Sequence, residues 1–236
     1  MINETELTKN NFQKAKKTRE NKEHFKKAVA HIRYKNKTGK IVPGTTTIIG
    51  ILAKPALLNW ANRIGLEGYE IEKYKNEAAD VGTLAHLIIE KELKQEKLDT
   101  SLYSSHNLTI AMQCVDKWHD WKKQHDFEII MPEKSLVSEL YQYGGTIDCY
   151  CRLDGKLTLL DFKTSSVIYP EMFVQLAAYK QLLIENNNPV ENTRILRIGR
   201  SEYEGFEDRQ VTNLSLYWEM FIHCWEIYNL KKQLRF

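Results

Sequence analysis

Nothing in the 236 residues approaches the roughly 18 consecutive apolar positions of a membrane-spanning helix, so a membrane span is excluded. The first 23 residues hold no apolar core and carry Glu4, Glu6, Glu20 and Glu23, which argues against a secretory or transit peptide and leads us to expect an intracellular protein. Cysteine is scarce. Cys114, Cys149, Cys151 and Cys224 show no CxxC spacing, and two of them stand two residues apart as on a strand. They read as reduced core residues, not as a disulfide or metal framework. Only five prolines punctuate the chain, no internal repeat or low-complexity block occurs, and no GxxxxGK[ST] loop is present to cradle a nucleotide phosphate.

What is there is ordinary in amount. Hydrophobic content of 42% and charged content of 28% are near globular averages, and the length suits one domain, or a core domain with appendages. The charge is unevenly spread. Residues 1 to 40 hold twelve Lys or Arg against four Glu, a local +8 in a chain of net +3, so the remainder is mildly acidic. We therefore divide the chain into a basic N-terminal arm, 1–40, and a folded domain, 41–236. Such an arm suits a polyanion such as nucleic acid, and it is equally what a solvated helix would look like.

Periodicity orders the rest. "IVPGTTTIIGIL" (41–52) reads as a helix start with Thr45, Thr46 or Thr47 as N-cap. A helix follows with Pro55 in its first turn, another opens near Asp80, and a polar helix spans about 106–125. The period then changes. "EKSLVSELY", "GGTIDCYCRL" and "KLTLLDFKT" read as three strands separated by Gly-Gly and Asp-Gly turns. An amphipathic helix beginning near Pro170, a strand "TRILRIGR", a short partner "EDRQV" and a closing helix complete the pattern. Helices flank a central strand block, which predicts an α/β fold: three layers, α/β/α, around a mixed sheet.

One stretch carries chemistry. A two-residue turn at Asp154-Gly155 opposes residues whose numbers sum to 309, and Asp148 and Asp161 are such a pair, about 5 Å apart at Cβ. Period 2 puts Lys163 on their face and sends Leu160 and Phe162 to the other. Two facing carboxylates on otherwise apolar strands are unfavourable unless a cation or a shared proton compensates them. A two-Asp site suits Mg²⁺ better than Zn²⁺, and a bound metal would acidify water while Lys163 positioned the attacking water and neutralised charge. The plainer alternative is a structural Asp–Lys ion pair at a strand end.

"GGTIDCYCRLDGKLTLLDFKTSS" resembles the signature of the PD-(D/E)xK nucleases, with Asp148, Asp161 and Lys163 at its three positions. "GTLAHLIIE" is similar to the His-containing helix of the RecB-like branch, giving His86 and Glu90, and "QLAAY" to its QxxxY motif, giving Gln175 and Tyr179. The resemblance runs from about residue 41 to the closing helix. It implies a restriction-endonuclease-like core that hydrolyses DNA phosphodiesters with Mg²⁺ or Mn²⁺. The metal ligands would be His86, Asp148, Asp161 and the Phe162 carbonyl, with Lys163 catalytic and Gln175 and Tyr179 supporting the lysine and contacting DNA. Glu90, Glu133 and Glu139 become candidate accessory acids. Trp60, Arg63, Tyr69 and Tyr74 are candidate stacking and phosphate contacts for a threaded strand, with Thr164 and Ser165 further candidates beside the lysine.

Phage-type and mitochondrial genome-maintenance exonucleases of this branch resemble the chain in size, lead-in and "RILRIGR" segment, which favours an exonuclease acting from single-stranded ends. A structure-specific endonuclease and a catalytically silent nucleic-acid-binding protein on the same fold are the alternatives. Some members of the branch carry an iron–sulfur cluster with one cysteine before the nuclease motifs and three after; here Cys224 alone follows them, and no cluster is expected. DNA is the expected partner, with a helicase or recombinase as a further candidate, and the expected location is the cytoplasm of a bacterium or phage-infected cell, since lysine- and asparagine-rich usage fits an A+T-rich microbial or viral genome.

Overall fold

The computed structural model describes residues 33–68, 70–101, 103–201 and 203–234, the side chains of residues 55–57 and 71–80 excepted. Most of the basic arm, residues 1–32, lies outside the described residues, as do Tyr69 and the Tyr74 side chain. The folded unit is Tyr34–Phe236.

A short hairpin, β1 (Tyr34–Lys35) and β2 (Ile41–Val42), leads into α1 (Thr45–Ile49), α2 (Pro55–Leu66), α3 (Ile71–Leu93) and α4 (Ser105–Lys122). Then come β3 (Phe127–Ser138), β4 (Tyr143–Leu153), β5 (Lys156–Lys163), α5 (Pro170–Glu185), β6 (Asn192–Ile198), β7 (Phe206–Gln210) and α6 (Ser215–Leu234). Local signals set several boundaries. Pro55 opens α2, where its missing N–H is no loss, and the Ser104 side chain accepts the Asn107 N–H at 3.2 Å to cap α4. Asp154 and Gly155 both take positive φ, 50° and 79°, the turn conformation whose twist matches a hairpin.

The five long strands form one sheet in the order β3-β4-β5-β6-β7. Its pairs are antiparallel except β5 with β6, which run parallel because α5 carries the chain back across the sheet. Each face buries its own core. Ile48 and Ile49 of α1, Val174, Leu176, Leu182 and Leu183 of α5, and Phe221 of α6 cover Tyr143, Ile147, Leu159 and Ile195. Leu84 and Ile89 of α3 and Val115 and Trp118 of α4 cover Cys149, Cys151, Leu160, Phe162 and Leu196 on the other face. The expected three-layer α/β/α architecture with a mixed sheet is what the chain adopts. All four cysteines are free and buried.

Three sequence expectations need correction. The Gly-Gly pair is not a turn: Gly144 and Gly145 lie inside β4, and the chain reverses at residues 139–142, where Gln142 takes φ 55°. These glycines answer crowding. A Cβ on Gly145 would stand 2.7 Å from the Tyr179 ring, 2.8 Å from Thr45 Oγ1 and 2.9 Å from Leu182. The N-cap of α1 is Gly44, not a threonine, because Thr45 spends its hydroxyl on the Gly144 carbonyl at 3.0 Å. And α3 begins at Ile71 rather than near Asp80, since "IEKYKNEAAD" holds no proline or glycine to stop a helix.

The crowding at Gly145 gives a test. Gly145→Ala should destabilise the fold by about 1–3 kcal/mol through overpacking, read as a lower denaturant midpoint at unchanged slope. An unaltered midpoint would mean that the three neighbours yield freely.

Candidate active site

The hairpin register is the one its turn dictates. Pairs run from Leu153↔Lys156 to Cys149↔Leu160, each summing to 309, so Asp148 and Asp161 come next in line. There the two strands part. Ile147 packs into the α5 face and Cys149 into the α3 face, so the alternation of β4 breaks at Asp148. The Asp148 carboxylate takes over the ladder's role, accepting the Phe162 N–H at 2.8 Å.

Asp161 is only 1% exposed. Its Oδ2 lies 2.5 Å from Lys163 Nζ as an ion pair without hydrogen-bond alignment, and its Oδ1 has no hydrogen-bond partner. A buried carboxylate oxygen left bare is uncommon, and it is the kind of lone pair a cation would take up. Burial pushes Asp161 up to about 6; the Asp148 charge adds to this, while Lys163 and His86 oppose it. Asp148 is likewise raised by burial, against the pull of Lys163 and the Phe162 N–H. For Lys163 burial works against the charge, but Asp161 and Asp148 outweigh it and hold the group above its ordinary value. It is an ammonium.

His86 arrives from α3, its ring edge-on to Phe162 at 6.2 Å. Burial, then the Lys163 charge, lowers it to about 4, with Asp161 and the Phe162 carbonyl pulling the other way. The imidazole is therefore neutral at pH 7, the form that binds metals. Its helix comes close because residue 82 is glycine, where a Cβ would meet Thr164 Oγ1 at 2.4 Å. From α5, Gln175 Nε2 donates to Tyr179 Oη at 2.7 Å. Tyr179 is buried, and burial together with the Asp161 and Asp148 charges keeps its hydroxyl protonated.

A second cluster adjoins the first. Glu133 of β3 falls opposite Asp148, between the pairs Pro132↔Cys149 and Lys134↔Ile147. Lys94 bridges it, at 2.5 Å, to Glu90, at 2.7 Å. Sequence reasoning passed over Lys94, although its position four residues after Glu90 on a helix was a signal for the pair. Glu139 is not brought in: it lies in the turn beyond β3, where its Oε1 accepts the Lys37 N–H at 2.8 Å. Trp60 and Arg63 lie on α2, half-buried and exposed respectively, and Ser165 donates to the Val167 carbonyl at 2.7 Å.

The donors fit a hard divalent cation: two carboxylates, one with a bare oxygen, and a neutral imidazole. They are not gathered as a finished ligand set. Among the described residues no three His, Cys, Asp or Glu side chains converge on one point, because Asp148 is engaged by Phe162 and Asp161 by Lys163.

Fold and site together define an α/β/α protein with an Asp-Asp-Lys centre at the parting of two sheet strands. No family model and no curated protein matches the chain. Among solved structures it is similar to a protein of Eubacterium rectale proposed as an exonuclease, at 12% identity, TM-score 0.46 and 66% coverage of each chain. It is also similar to an alkaline exonuclease of Laribacter hongkongensis, at 10% identity and TM-score 0.32, covering 67% of this chain and 90% of that one. Neither likeness is close enough to assign a residue role. No helix among the described residues is long and apolar enough to cross a membrane.

Proposed function

We propose that this protein is a divalent-metal-dependent deoxyribonuclease of the PD-(D/E)xK class, and specifically an exonuclease working from single-stranded DNA ends. The observation that carries the reading is Asp161: fully buried, with one oxygen bare and the other against a charged lysine, directly after the register that aligns it with Asp148. A structural ion pair usually satisfies the carboxylate; this one leaves a buried oxygen without a donor, the deficit a bound cation would make good.

In this reading Asp148, Asp161, His86 and the Phe162 carbonyl hold Mg²⁺ or Mn²⁺, which when bound acidifies water and offsets phosphorane charge. Lys163, kept protonated by its two aspartates, is no general base. Its ammonium orients the attacking water and stabilises the negative charge that grows on the phosphoryl oxygens as the water oxygen bonds to phosphorus, losing its proton to solvent, and the ester P–O bond breaks, the leaving oxygen taking a proton from solvent. Gln175 and Tyr179 form a neutral donor pair that flanks the two carboxylates without adding charge. Lys94 keeps Glu90 and Glu133 paired.

Degradation of end-labelled linear single-stranded DNA, beside circular single-stranded DNA, tests this with Mg²⁺, Mn²⁺ or EDTA for wild type and Lys163→Ala. Metal-dependent loss of the linear form alone, absent in the variant, is expected. Cutting of the circle would make the protein an endonuclease, and binding without cleavage of either form would make it a silent scaffold.

A further inference from the structure

The β1–β2 hairpin brings Lys35, Lys37 and Lys40 to the surface within six residues that include no acid. Among the described residues none of the three ammonium groups meets a carboxylate. Glu139 faces the loop through the Lys37 backbone N–H and offsets one charge, leaving the patch positive.

The loop holds its shape by itself. Asn36 Oδ1 accepts from Thr38 N at 3.1 Å, Thr38 Oγ1 at 2.8 Å and Lys40 N at 2.8 Å, and Asn36 Nδ2 donates to Gln142 Oε1 at 2.7 Å. It is also fastened to the strand that carries the site. The Tyr34 ring lies on Gly144, where a Cβ would stand 2.3 Å away, Tyr34 Oη meets Thr146 Oγ1 at 3.0 Å, and the Gly144 N–H donates to the Pro43 carbonyl at 2.9 Å. Gly144 and Thr146 are the alternate residues that precede Asp148 on β4, each two-residue step about 7 Å. Tyr34 crowds Gly144 and Tyr179 crowds Gly145, so the two rings press on adjacent residues of β4.

We propose that the hairpin is a phosphate clamp: Lys35, Lys37 and Lys40 hold the backbone of the nucleic-acid strand beside the Asp148–Asp161 centre. The clamp rests on the nuclease function proposed for the Asp148–Asp161 centre and adds the surface that delivers its substrate. Ammonium groups on a polar loop without an exposed aromatic give charge contact and no base readout, so the grip is independent of sequence. Because Asn36 and Gln142 fix the loop beforehand, little ordering opposes binding.

Fluorescence anisotropy of labelled oligothymidylate, titrated at several KCl concentrations in EDTA so that nothing is cut, tests it. The variant Lys35→Gln/Lys37→Gln/Lys40→Gln should weaken binding and flatten the log–log salt dependence by about 2, since each phosphate contact on a single strand contributes about 0.7. Lys231→Gln/Lys232→Gln, on exposed positions of α6, should leave the slope alone. An unchanged slope in the hairpin variant overturns the clamp while leaving the nuclease reading standing. Failure of the wild type to bind at all overturns the clamp, while the nuclease reading stands or falls on the metal-dependent cleavage of linear DNA.

Discussion

Asp161→Asn should abolish the proposed cleavage and leave the fold standing: rates are expected to fall by a factor on the order of a thousand or more, the scale of losing a charged group that stabilises a transition state. The substitution keeps the shape and removes the charge, so its effect on activity is not one of packing. Its effect on stability has two opposed parts. Breaking a buried ion pair costs about 3–5 kcal/mol when the remaining charge is stranded. Lys163 is not stranded, because its side chain keeps 17% of its surface in solvent and Asp148 still lies close. Asp161 itself is uncomfortable as an anion, as its rise to about 6 shows, and the neutral amide relieves that. The melting temperature should move little while cleavage disappears, and Mn²⁺ binding by calorimetry should weaken in step. A variant that cut DNA at the wild-type rate would end the role assigned to this carboxylate.

How much of this could be read from residues depends on how local the determinant is. The Asp154-Gly155 turn fixes its register within two residues, so the pairing as far as Cys149↔Leu160 followed from arithmetic; the parting of the strands at Asp148 and Asp161 did not. The same logic failed at Gly144-Gly145. Those glycines exist because Tyr34 and Tyr179, distant in sequence, press on β4, and spacing alone does not reveal a neighbour's ring. The break of alternation at Asp148 was equally hidden: it appears only when Ile147 and Cys149 are seen in opposite cores. Glu133 and Glu139 were indistinguishable as accessory acids until β3 was paired, when one fell opposite Asp148 and the other in a turn. The residues 33–40, assigned to a basic arm, contribute a hairpin sealed onto the sheet through Tyr34, an aromatic whose partner lies 112 residues away.

Trp118→Ala should be the most damaging substitution outside the site, and it reaches the site as well. The indole is fully buried, stacked on Trp121 at 5.4 Å and met edge-on by Phe162 at 5.1 Å and Phe127 at 5.5 Å. Truncation removes about 3–5 kcal/mol, a large part of the 5–15 kcal/mol that holds a typical domain. The cavity would open beneath Phe162, which stands between Asp161 and Lys163 and whose N–H anchors Asp148. If that ring sinks into the void, three site residues shift together. Cleavage should therefore fall even at a temperature where circular dichroism shows the variant folded. Trp118→Phe separates support from bulk chemistry. It refills most of the space, and the polar group it gives up, the indole N–H, has no hydrogen-bond partner, so it should keep most of the stability and cleavage. Full cleavage by folded Trp118→Ala would mean that β5 holds Asp161 and Lys163 without help from the core below.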